Sequence, residues 1–99
     1  MSLFKKFPFK DKPNTASITC VHILDEKKPI LYVSHDADDG YWQFLCGKNH
    51  NIEDSRVISL QQIYEFDKSI KEIANLEYGK IAYRKDKNGI FLFFLIQYL

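Results

Sequence analysis

The chain has 99 residues, with 14 Lys and Arg against 13 Asp and Glu, and 45% of its side chains are hydrophobic. That is room for one domain with its own core and not for two, and with 15% aromatic residues the composition is an ordinary globular mixture without a disorder signature. A formal net charge of +1 supplies no global field towards nucleic acid or anionic lipid. The charge is nevertheless uneven. Residues 1–16 hold Lys5, Lys6, Lys10 and Lys12 against Asp11 alone, whereas Asp25, Glu26, Asp36, Asp38, Asp39, Glu53 and Asp54 make the centre acidic.

In chain order, residues 1–16 form a basic arm in which Pro8 and Pro13 forbid a continuous helix. The opening "MSLFKKFPFKDK" lacks the apolar stretch of a signal peptide, so a cytoplasmic protein with reduced Cys20 and Cys46 is expected. A single domain spans 17–99. "SITCVHIL" (17–24) reads as a strand with Thr19, Val21 and Ile23 on one face and Cys20 and His22 on the other. "DEKK" turns the chain into "PILYVSH" (29–35), and "DADDG" turns it again into "YWQFLC" (41–46), where Trp42, Phe44 and Cys46 share a face. Three strands joined in this way predict an antiparallel meander.

After Gly47 the texture changes. "KNHNIEDS" is a polar loop and "RVIS" a short strand at most. Ser59 with Gln62 three residues later forms a capping box that opens a helix to about Phe66, with Leu60, Ile63 and Tyr64 at helical spacing. Asp67 caps a second short helix whose inward side chains are Ile70, Ile73 and Ala74. Gly79 leads into the strand "KIAYRK", and "DKNG" signals a hairpin into "IFLFFLIQYL". The predicted fold is α+β, in the order β-β-β-α-α-β-β, with a mostly antiparallel sheet and two short helices packed on one face. The run "IFLFFLI" is too short to span a bilayer, which needs ~20 residues. It suits a central strand covered on both faces, or a strand that pairs with a second copy of the chain.

Candidate chemistries follow from residue type and spacing. A calcium loop opening at Asp36 would place its bidentate Glu at position 47, which is Gly47. The acids of "DADDG" are therefore read as a solvated hairpin turn. Cys20, His22, Cys46 and His50 are the right ligand types for a small metal-binding or thiol protein, although neither pair has the usual zinc spacing. Cys46 with His50 and Asp54 or Glu53, or Cys20 with His35, supplies the types of a nucleophilic triad, but no glycine-rich elbow or helix N-terminus activates the thiol. Neither a phosphate loop nor a stacking motif for nucleic acid is present, and "YRKDK" (83–87) reads as a charged surface. Trp42 is expected to be the hub of the core.

The segments "PILYVSHDADDGYWQFLCG", "EDSRVISLQQIYEFDKSI" and "LEYGKIAYR" resemble a group of small bacterial domains of unassigned function. Relatives of that group are classed with the immunity proteins of polymorphic toxin systems. The resemblance covers residues 17–84, and its marker positions here are Asp39, Gly40, Trp42, Phe44, Gly47, Asp54, Ser59, Leu60 and Asp67. The chain departs from the pattern by placing Tyr41 between Gly40 and Trp42, and by its apolar end. The resemblance implies an immunity-type binding protein that neutralises a toxin partner, and with the composition and spacing above the expectation is a non-enzymatic, cofactor-free protein that touches neither nucleic acid nor membrane. Its acidic segment, Asp36, Asp38, Asp39, Glu53 and Asp54 with Tyr41 as an aromatic contact, would meet a basic partner.

Overall fold

The computed structural model describes residues 7–48 and 51–94. It is an α+β fold built on one six-stranded, mostly antiparallel sheet, as expected. The strands are β1 (Ala16–Cys20), β2 (Tyr32–His35), β3 (Trp42–Leu45), β4 (Ser55–Ser59), β5 (Lys80–Tyr83) and β6 (Leu92–Phe94). They lie in the order β4-β1-β3-β2-β5-β6. The helices are a single turn, α1 (Val21–Leu24), a two-turn α2 (Leu60–Phe66), and 3₁₀ segments at Ile52–Asp54 and Lys68–Ile73.

The meander is only half right. β2 and β3 form the expected antiparallel hairpin, but β1 runs parallel to β3 and never touches β2. The predicted first strand also stops early. Its antiparallel partner β4 begins at Ser55, opposite Cys20, so beyond Cys20 the backbone has no strand to pair with on that side. It closes helical bonds instead, with Asp25 N–H donating to the Val21 carbonyl at 2.7 Å. The turn carries Ile23 into the core, and Lys27, at φ +58, lets the chain cross β3 to reach β2. β-Propensity read along 17–24 loses here to pairing, which is decided elsewhere in the chain.

The central register sets Val33 opposite Phe44 on one side and opposite Ala82 on the other. With Trp42 they make the covered face of the sheet. Leu60, Ile63, Ile70, Ile73 and Ala74 pack onto it from α2 and the 3₁₀ helix, as their spacing predicts. Both caps form: the Ser59 hydroxyl accepts from Gln62 N–H at 3.0 Å while Gln62 returns the bond, and the Asp67 carboxylate accepts from Ser69 N–H at 3.0 Å.

Further features extend or correct the sequence reading. The described part of the arm is docked tightly: Phe9 is buried, its ring set edge-on to Trp42 at 5.0 Å, and Thr15 and Pro13 carbonyls take the first N–H groups of α2. "RVIS" is a full edge strand, β4, paired along all of β1. The Asn-Gly signal does not make a two-residue turn, because Tyr83 pairs with Leu92 and leaves residues 84–91 as a loop. That loop turns inward at both ends, burying Arg84 and Phe91. The apolar end, as far as Phe94, is the outer strand of the sheet rather than a central one, with Leu92 and Phe93 half exposed; residues 95–99 lie outside the described residues. No helix among the described residues is long and apolar enough to cross a membrane.

Candidate functional site

The β2–β3 turn, residues 36–41, stands at one end of the sheet. Asp36 is its internal fastener. Its carboxylate accepts from Ser34 Oγ at 2.9 Å and from Gln43 Nε2 at 2.8 Å, so it is tied to both flanking strands. Its backbone exchanges bonds with Gly40 and Tyr41, each at 2.9 Å. Asp39 then accepts from Tyr41 N–H at 3.0 Å. Gly40 sits at φ +76, which a side chain rarely adopts. This bonding fixes the backbone of the tip and leaves Asp38, Asp39 and Tyr41 exposed on it.

Tyr78 joins this surface from the loop after the 3₁₀ helix. It is 66% exposed, yet its ring lies so close to Gly40 that a Cβ there would meet Cε1 at 3.3 Å. Gly79 N–H donates to the His35 carbonyl at 2.7 Å, which holds the two segments together. Beneath them lies a cavity of about 200 Å³ lined by Lys10, Asp11, His35, Trp42, Glu77 and Tyr78, among others. Glu77 pairs with Lys80 at 3.0 Å, and that hydrogen bond and charge hold its carboxyl below the usual value.

His35 is the chemically distinct residue of this cavity. It is 7% exposed, stacked on Trp42 at 3.9 Å with Tyr78 at 4.4 Å. Its Nδ1 lies 2.7 Å from the Leu76 carbonyl. A carbonyl only accepts, so Nδ1 is the donor in this bond. Nε2 is buried and has no hydrogen-bond partner among the described residues. The Trp42 Nε1–H, as expected for a buried indole, finds an acceptor, Asp11 Oδ1 at 3.3 Å.

Glu53 and Asp54 are not part of this surface. β3 runs away from the tip and β1 runs parallel to it, so Cys20 is the far end of β1, and Ser55 pairs with Cys20. The two acids immediately before Ser55 therefore lie at the opposite end of the sheet from Asp38 and Asp39. Asp54 is engaged as a cap, accepting from Asn51 N–H at 3.0 Å. Neighbours in an acidic composition are thus separated by strand direction.

That far end holds a different cluster. Cys20 closes β1, His22 is on α1, and Cys46 follows β3, the strand parallel to β1. Their donor atoms all lie within 4.8 Å of one another, and Cys46 Sγ is 3.7 Å from His22 Nδ1. Both thiols are buried and free. Burial pushes the Cys20 thiol above its ordinary value, and the neighbouring Cys46 adds to the shift. Two bonds to the backbone work against it. His50, the fourth residue of the predicted set, lies outside the described residues. His35 is not near this group: it begins the β2–β3 turn, and its Nδ1 is committed to Leu76.

Asp11, Tyr78, Glu77 and the His35 pairing were invisible in the sequence. They come from segments separated by tens of residues, and no spacing rule links them. Comparison with protein-family models, with curated proteins and with solved structures finds no match to this chain.

Proposed function

We propose that this chain is a non-enzymatic binding domain of the immunity type, which neutralises a basic protein partner by covering it with the tip of the β2–β3 turn. The observation that carries this reading is the fixed backbone of residues 36–41. A loop already held in one conformation loses little entropy on binding, so its exposed groups can contribute more of their contact energy. The groups it presents are two carboxylates, Asp38 and Asp39, and an aromatic anchor, Tyr41, with Tyr78 beside them. Acids steer and select a basic surface, and tyrosines are favoured hot-spot residues. The contact surface is accordingly narrower than the sequence suggested. Asp36 works inside the turn, and Glu53 and Asp54 sit at the other end.

The cavity below the tip extends the same reading. A lysine or arginine side chain of the partner would find the carboxylates of Asp11 and Glu77 there.

The test is affinity capture from the native host, with wild-type protein and an Asp38→Asn, Asp39→Asn, Tyr41→Ala variant compared at low and high salt. The expected result is one basic protein retained by the wild type at low salt and lost with the variant, whose thermal stability is unchanged. Capture of the same proteins by both, or of none by either, would sink the proposal.

A further inference from the structure

We propose that Cys20, His22 and Cys46 form a binding site for zinc at the end of the sheet remote from the tip. This site is independent of the protein-binding reading above.

The first argument is geometric. A tetrahedral zinc with bonds of about 2.3 Å to sulfur and about 2.0–2.1 Å to nitrogen has donor–donor edges of about 3.5–3.8 Å. Cys46 Sγ and His22 Nδ1 are 3.7 Å apart, and all three donors fall within 4.8 Å. Small side-chain rotations suffice to bring the set onto one ion. The second argument is rigidity. Cys20 ends β1 and Cys46 directly follows the adjacent parallel strand β3, and just before them Thr19 Oγ1 donates to the Phe44 carbonyl at 2.8 Å, tying those strands together. α1 exists because β1 loses its partner at Cys20, and it places His22 over the two thiols.

The third argument is chemical. Two thiols and an imidazole make a soft donor set, which favours zinc over calcium or magnesium. A bound dication releases the protons of the thiols that coordinate it. Access is available as well. His22 is only half buried, and a cavity of about 460 Å³ lined by Leu31, Tyr32, Lys48 and Tyr83 reaches Cys46. Among the described residues the donor set stops at three, so a fourth position remains for water or another ligand.

The experiment uses the full chain, purified in reductant and stripped with a chelator, then titrated with Zn²⁺ and separately with Co²⁺. Saturable binding of one Zn²⁺ per chain is expected, with release of about two protons. Co²⁺ should give the visible bands of a tetrahedral site and a thiolate charge-transfer band. Zn²⁺ should also slow alkylation of Cys46 in the wild-type protein, a readout that needs no variant. Outer-shell partners alone carry about 10–100-fold in metal affinity, so loss of a direct ligand in Cys46→Ser should weaken binding at least that much. His22→Gln, at a half-exposed position, should do the same while leaving the fold intact. Three results would overturn the proposal: no stoichiometric Zn²⁺ binding, an octahedral Co²⁺ spectrum without a thiolate band, or affinity unchanged in both variants.

Discussion

The Arg84 guanidinium donates from Nη2 to Asp67 Oδ2 at 3.0 Å, and this pair joins the end of β5 to the cap of the 3₁₀ helix. Arg84 is buried and donates from each of its three nitrogens: besides the Asp67 bond, Nε donates to the Ile30 carbonyl and Nη1 to Ser69 Oγ, each at 3.0 Å, and its Cζ lies 4.3 Å from the Phe91 ring centroid. Breaking a buried pair from one side leaves a stranded charge and costs about 3–5 kcal/mol. Asp67→Ala should therefore lower urea stability by about that amount. The double variant Asp67→Ala, Arg84→Met should recover part of the loss, because no unpaired charge remains. A double variant no more stable than Asp67→Ala would show that the loss comes from the cap rather than from the charge.

Gly40 and the charges around it separate the backbone of the tip from its surface. At φ +76, Gly40→Ala should cost about 1–2 kcal/mol from left-handed strain, and it must also displace Tyr78. Asp38→Asn and Asp39→Asn change only exposed groups and should stay within about 0.5 kcal/mol of wild type. Thermal unfolding of the three variants checks this. An Asp38→Asn change as damaging as Gly40→Ala would mean that Asp38 has a structural role.

Truncation after Gly89 removes β6 and the buried Phe91 that underlies Arg84. Loss of a buried phenylalanine alone costs about 3–5 kcal/mol, a large part of the stability of a domain of this size. The truncated chain should show no cooperative thermal transition. A folded, monomeric product, judged by mass in solution and near-UV dichroism, would make β6 dispensable.

Alkaline pH should weaken the fold. Burial raises the Cys20 thiol and the Tyr32 phenol above their ordinary values, with Asp36 also repelling the Tyr32 phenolate. Both groups hold their protons more tightly in the folded chain than in the unfolded one. The stability they contribute is complete below their unfolded values and is lost as the pH rises through the folded ones. In reductant and chelator, the unfolding midpoint should fall above about pH 9. The fall should be shallower in Cys20→Ala. An unchanged slope in that variant would assign the effect to Tyr32.

Much of this protein is local, and its sequence alone determined those parts. The Ser59–Gln62 box, the Asp67 cap, the inward Ile70 and Ile73, and the β2–β3 hairpin each depend on groups within a few residues of one another. Local sterics and hydrogen bonds decide them before the chain closes. The Asp36–Gly40 turn and the core placement of Trp42 belong to the same class. Tertiary structure decided the rest, because strand order and direction are pairing choices between distant segments. β1 ends at Cys20 because β4 begins opposite it at Ser55, which leaves His22 on α1, and the parallel pairing of β3 with β1 sets Cys46 beside both. The same strand directions send Asp54 and Asp39 to opposite ends of the sheet. Spacing in "TCVH" and "LCGKNH" carries no trace of that meeting, since the contact exists only once a parallel partner has been chosen.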